Sequence, residues 1–147
     1  MQTFLPYSSF KRSAQVLDRQ RLGKQRVETM QIMTTLSGSG TAWMNHPAAR
    51  MWTGFECWLM SYQFAVCREW VRRGYKDTCL EKTLAIHRES EMCEADPPPP
   101  LWLGEADFHL SHRSNLVRKL PEHYRQFFPD VADDLPYIWP ASKESYA

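Results

Sequence analysis

Wherever the apolar residues of the chain recur regularly, their spacing is helical. Between Asp18 and Leu36, the side chains of Leu22, Met30, Met33 and Leu36 share one broad face of a wheel drawn at about 100° per residue. Arg21, Lys24 and Glu28 fall together on another face, at i, i+3 and i+7, while Arg26 lies between Leu22 and Met30 on the apolar side. Asp18 is a suitable N-cap and "SGSG" at 37–40 a suitable stop, so a first long helix is predicted over 18–36. Thr53-Gly54-Phe55-Glu56 has the form of a capping box and predicts a second long helix that ends at Gly74. Its interior, "FECWLMSYQFAVCREWV", is apolar on most sides, as a central core helix would be. Thr78-Cys79-Leu80-Glu81 repeats the capping form and predicts a third helix to about Glu89, and "SHRSNLVRKL" reads as a fourth, stopped before Pro121. His46-Pro47 opens a short helical turn, with proline suited to its first position, and "DPPPP" at 96–100 should run extended over the surface. No stretch alternates as a half-buried strand would. The expectation is an all-α fold: one compact domain over 1–147, with three to five helices and long surface loops.

Composition narrows the class without naming a function. A chain of 147 residues can bury roughly two-thirds of its unfolded surface, enough for a sizeable single core. With 43% apolar and 24% charged residues, it has the balance of an ordinary soluble protein. The opening "MQTFLPYSSFKRSAQVL" lacks the apolar core of a secretory signal, and no apolar run reaches membrane-spanning length. A cytoplasmic protein with no membrane partner is expected, and a monomer. Cys57, Cys67, Cys79 and Cys93 include no Cys-x-x-Cys pair, so reduced and mostly buried thiols are expected. His109 and His112, at i and i+3, could share a helix face as metal ligands or serve structural or phosphate-facing roles; no third ligand follows at suitable spacing, and no metal is expected. Nothing resembles a Gly-rich phosphate loop or a nucleophilic triad, and no cofactor is expected.

Charge distribution says more than the net charge of +1. Residues 1–27 hold Lys11, Arg12, Arg19, Arg21, Lys24 and Arg26 against Asp18 alone, residues 89–107 hold six carboxylates and no cation, and 113–125 turn basic again. Such polarity suits a positive face for a polyanion and an acidic face for solvent. Glu28 then has two readings. It pairs with Lys24 at i, i+4, for about 0.3–0.5 kcal/mol, or it is a lone carboxylate held in a cationic groove beside bound phosphates. Periodicity does not choose between them.

"LDRQRLGKQRVE" at 17–28 resembles the pyrimidine-dimer DNA glycosylase family, the phage ultraviolet-repair endonucleases. Members are small all-α proteins with a leucine-led basic helix ending in a catalytic glutamate. Asn45-His46 stands where the family has Gly-His before its second helix. "CREWVRRGY" resembles the family's Cys-x-x-(Arg/Lys)-Gly-aromatic helix end, with the cysteine further from the glycine here. "LPEHYRQFF" resembles its Pro-x-aromatic-Tyr-Lys-x-Tyr segment, and the sequence closes on Tyr-Ala in both cases. The likeness runs over most of the chain, weakly over 80–107.

The resemblance implies a DNA-repair enzyme on double-stranded, damaged or modified DNA in a bacterial or phage-infected cell. Such an enzyme flips a nucleotide, forms an imine between its terminal amine and C1′, and breaks the strand by β-elimination. It implies Glu28 as the catalytic carboxylate, with Gln20 and Arg21 lining the site where the family has Gln-His. Arg19, Lys24 and Arg26 would be phosphate contacts, and His46 a residue beside the site or a helix cap. Of the aromatics near the C-terminus, Tyr124 and Trp139 are the expected base contacts. An α-amine, with a pKa of about 7.7–8.0 against about 10.4 for lysine, is the better imine former at neutral pH. The chain departs from the family at its start: Met1-Gln2-Thr3 stands where the family exposes a threonine by removing methionine, and glutamine is too large for that removal. The attacking group is therefore the amine of Met1, that of an unusually exposed Thr3, or water; Met1 is the favoured candidate. A same-fold enzyme that uses water on another modified base, and a non-catalytic DNA-binding module, are the competing readings.

Overall fold

The computed structural model describes residues 1–38, 44–90 and 97–140. It contains α1 (Phe10–Val16), α2 (Arg19–Leu36), α3 (Pro47–Arg50), α4 (Glu56–Arg72), α5 (Cys79–Ser90), α6 (Ala106–Lys119) and α7 (Pro121–Tyr124), with no strand among the described residues. The fold is all-α.

Local chemistry accounts for most of the boundaries. Asp18 caps α2 as expected, its carboxylate accepting the Arg21 N–H at 3.3 Å. His46 caps α3, its Nδ1 accepting the Ala48 N–H at 3.0 Å with Pro47 at the first helical position. Neither capping-box expectation holds as drawn. α4 starts at Glu56, after Phe55, and Glu56 Oε1 turns back to accept the Gly54 N–H at 3.0 Å. Gly54, at φ 83°, takes a left-handed turn that breaks the frame needed for Thr53 to cap the helix. At α5, Asp77 does the capping instead of Thr78: its carboxylate accepts the N–H groups of Cys79 and Leu80 at 3.2 and 3.0 Å. α6 begins five residues before the expected Ser111, and α1 escaped the periodicity reading because it is only seven residues long.

α4 packs against α1, α2 and α5, and α2 also packs against α5. The core between them includes Leu22, Ile32, Met33, Trp52, Leu59, Tyr62 and Val66. Gly23 lets the Trp70 ring approach α2 closely; a Cβ there would lie 3.1 Å from the ring. Residues 97–100 have no regular structure, as expected of prolines, while Asp96 and residues 39–40 lie outside the described residues. The cysteine expectation is corrected in part. Cys67 and Cys79 are free and buried, but Cys57 is disulfide-bonded; Cys93 lies outside the described residues.

The N-terminal segment is the feature that periodicity could not foresee. Residues 2–6 are buried without belonging to any helix, so their backbone groups need partners elsewhere. The core helices supply them. Phe4 N–H donates to Gln25 Oε1 at 2.9 Å, and Leu5 N–H donates to His112 Nδ1 at 2.9 Å. His109 Nδ1 meets Leu5 O at 2.8 Å, and Arg113 donates to Pro6 O at 2.8 Å.

Candidate active site

The path of that segment delivers the first residue to α2. The buried stripe of α2 is Leu22, Gln25, Thr29, Ile32 and Met33, so a glutamine sits where the chain enters. Gln25 Nε2 donates to Gln2 O at 2.7 Å while its Oε1 takes the Phe4 N–H, clamping the segment from both sides. Tyr62, fully buried on α4, fixes the clamp by donating to Gln25 Oε1 at 2.5 Å, with Phe4 O also within reach at 2.9 Å. One turn along α2, Glu28 Oε2 accepts the Gln2 N–H at 3.2 Å. The peptide joining Met1 to Gln2 is therefore bonded directly to the carboxylate that the sequence singled out.

A cleft of about 420 Å³ opens at this point, lined among others by Met1, Gln20, Arg21, Lys24, Glu28, Lys119, Tyr137 and Trp139. Glu28 is half-buried there, and no ion pair within 4 Å joins it to Lys24 among the described residues. The helical ion pair is thus not what holds this carboxylate. Arg21 pairs with Asp18 at 3.2 Å, and Lys24 is exposed. Lys119 reaches the cleft from the last residue of α6, and its pKa is lowered by burial and by the charges of Arg21, Arg118 and Lys24. The pKa of His46 is lowered by burial and by the positive charge of the Met1 amine, against the opposing pull of Glu28. Its ring stands edge-on to Trp139 at 6.1 Å. A cleft with one carboxylate, a terminal amine and three further cations can hold phosphates and still move a proton.

Other expected site residues lie elsewhere. Arg26 is not a phosphate contact: it pairs with Asp77 at 2.6 Å and stacks over Trp70 at 4.4 Å. That explains a cation on the apolar side of α2, since the guanidinium finds both a buried carboxylate and a ring face there. Tyr124 is not a base contact either. It is fully buried, and its hydroxyl donates to Asp18 Oδ1 and accepts the Asp18 N–H at 3.1 Å, bracing the cap of α2. Arg19 is exposed at a neighbouring cleft of about 680 Å³, which shares Gln20, Lys24 and Glu28 with the first and is closed on one side by Trp70. His109 and His112 point inward to the N-terminal segment, and burial lowers both pKa values, that of His112 to about 3. No cluster able to hold a metal ion occurs among the described residues.

Reading the sequence missed Gln2, Gln25, Tyr62 and Lys119, and it favoured Tyr124 over Tyr137 among the C-terminal aromatics. Gln25 alone left a trace: it is a polar residue in phase with Leu22, Ile32 and Met33 on α2.

No curated protein and no solved structure matches the chain. The family model of the pyrimidine dimer DNA glycosylases does, over residues 1–83. That span runs from Met1 into α5, so it takes in the N-terminal segment, Gln25, Glu28 and Tyr62. With more than half of its length matched, and Met1 and Glu28 lining one cationic cleft, the chain belongs to the pyrimidine dimer DNA glycosylase family.

Proposed function

We propose that the protein is a DNA glycosylase with an associated lyase step, excising dimerised or otherwise modified pyrimidines from double-stranded DNA. It works as a monomer, without a cofactor, in the cytoplasm of a bacterial or phage-infected cell. The observation that carries this reading is the bond from the Gln2 N–H to Glu28 Oε2, which sets the residue bearing the amine beside the one carboxylate of the cleft.

Arg21, Lys24 and Lys119 hold phosphates of the kinked strand, and Arg19 extends that contact to the neighbouring cleft. The damaged nucleotide leaves the stack at a cost of a few kcal/mol, least where damage has already weakened pairing. The Met1 amine attacks C1′, and the bond to the base breaks. Glu28 carries protons as the sugar ring opens to an imine, and β-elimination then cuts the strand. Gln20 and His46 border the reacting sugar, and Trp139 offers a ring face to a base.

Borohydride reduction during reaction with dimer-containing and abasic duplexes tests the reading, with intact mass confirming that the reacting chain starts at Met1. A covalent adduct mapped to Met1 is expected, and acetylating the α-amine should abolish it while duplex binding persists. Base release without an adduct would indicate attack by water, and binding without either a DNA-binding module.

A further inference from the structure

Two neighbouring polar atoms in the wall of the cleft make no hydrogen bond of good geometry. Gln2 is only 6% exposed; its Oε1 accepts the Thr3 N–H at 2.8 Å, and that bond fixes which end of the amide is nitrogen. The Nε2 is shut off from solvent and makes no hydrogen bond of good geometry; the same holds for the Tyr137 hydroxyl, which the Gln2 amide faces closely enough to oppose the rise in the phenol's pKa. Both residues line the cleft of Met1 and Glu28. A buried polar group without a partner costs about 1–3 kcal/mol, so two of them in one wall call for an explanation.

The phenol is held in place. Its ring lies edge-on to His112 at 5.5 Å and tilted against Trp139 at 5.5 Å, while the N–H groups of Leu135 and Ile138 are tied to Ser114 and Ser111 on α6. Burial raises its pKa to about 12, so at neutral pH it carries its proton. The Gln2 amide N–H and the Tyr137 O–H are thus two neutral donors side by side in the wall. Arg21, Lys24 and Lys119 already meet the needs of phosphates. Neutral donors kept from water suit an oxygen that is neutral in the ground state and becomes charged during reaction.

We propose that Gln2 Nε2 and the Tyr137 hydroxyl receive the 2-carbonyl oxygen of the pyrimidine being excised and stabilise the negative charge that gathers there as its glycosidic bond breaks. The inference rests on the glycosylase reading above. The lone pair of the Met1 amine makes the new bond to C1′, and the pair of the breaking C1′–N1 bond leaves with the base. N1 is conjugated with the 2-carbonyl, so that pair spreads onto the oxygen. One proton then passes from the attacking amine to the departing base, with Glu28 as carrier. Seating the oxygen requires the Tyr137 side chain to shift outward, which its position on an irregular segment permits more readily than a helix would. Gln2 acquires a role beyond keeping Met1 in place.

The test compares two rates in one protein: scission of the C1′–N1 bond in a duplex with a pyrimidine dimer, and cleavage of a preformed abasic site, which has no base to expel. Tyr137→Phe should lower the ratio of the first rate to the second by about tenfold or more, with duplex affinity unchanged, since single donors at sites of developing charge are typically worth 10²–10³-fold. Gln2→Leu, still too large for methionine removal, should move the ratio the same way and gives a second reading should Tyr137→Phe fold poorly. Equal loss of both rates, a change in binding alone, or an unmoved ratio overturns the inference while the glycosylase reading stands. A wild-type protein that neither breaks the C1′–N1 bond nor cuts abasic sites overturns both.

Discussion

Glu28 has one contact in the fold and one proposed role in catalysis, and a substitution can separate them. Its Oε2 seats the N-terminal segment through the Gln2 N–H, and its charge faces the cleft that would hold DNA. Glu28→Gln keeps a carbonyl oxygen for the first and removes the charge needed for the second. Turnover should fall by about 10²-fold or more, roughly 3 kcal/mol in the barrier, while duplex affinity holds or tightens because a repulsive charge has gone. Single-turnover base release and a binding isotherm measured side by side check this, and near-normal release would remove Glu28 from the chemistry. In the sequence Glu28 stands out as a lone carboxylate closing a basic run, but its proposed role in the chemistry comes from the family resemblance and not from that pattern. Gln25 and Tyr62 were not legible as a clamp, because their partner is the backbone of residues 2–4, which carries no side-chain pattern. Tyr124 was misassigned for a related reason: a buried ring bracing Asp18 and a ring awaiting a base look the same in sequence.

On α2, the same basic stretch serves two unrelated ends. Lys24 stands exposed where the two clefts meet, whereas Arg26, two residues on and on the opposite side of the helix, is spent on Asp77 and Trp70. The long helices could be read from caps and spacing, but the start of α4 shifted where Gly54 took a left-handed turn, and the cap of α5 passed from Thr78 to Asp77. Arg26 lay beyond reach because Asp77 is 51 residues away, and helical phase cannot report a partner at that distance. Paired substitutions distinguish the two cations. Lys24→Ala should reduce the slope of log affinity against log salt by about 1, at little cost in stability. Arg26→Ala should leave that slope unchanged and lower unfolding free energy by about 3 kcal/mol, because the Asp77 carboxylate, with its side chain 4% exposed, is left buried without its counter-charge. Salt titration and urea unfolding of both variants check this; the opposite pattern would move Arg26 into the DNA face.

Across the whole molecule, α6, late in the sequence, joins the Gln25 clamp in holding the N-terminal segment that brings Met1 to the cleft of Glu28. Leu5 N–H bonds to His112 Nδ1 and Leu5 O to His109 Nδ1, contacts that span more than a hundred residues. No local pattern announces such closure. The i, i+3 spacing of His109 and His112 leaves structural, phosphate-facing and metal-binding roles open, and the partner in the fold is the backbone of the N-terminal segment. The arrangement makes stability depend on pH with a definite sign. His112 accepts a hydrogen bond, so it must be neutral, and burial holds its folded pKa at about 3 against 6.5 in the unfolded chain. The unfolded state therefore takes up a proton that the folded state refuses once the pH falls below about 6.5. Stability is complete above that value and drains away as the pH falls toward 3, by about 2 kcal/mol at pH 5 from His112 alone. His109 is shifted in the same direction and adds to the loss. The lowered pKa values of Asp18 and Asp77 act only below the ordinary carboxylate range, so they do not contribute in this window. Urea midpoints at pH 7.5 and 5.0 should differ accordingly, and imine trapping should decline with them as the segment bearing Met1 loses its seat. His112→Asn places an acceptor that does not titrate near the position of Nδ1. It should reduce the dependence between pH 6.5 and 5 to what His109, His46 and His87 supply, and an unchanged slope in that variant would show that the N-terminal segment is not held by the neutrality of His112.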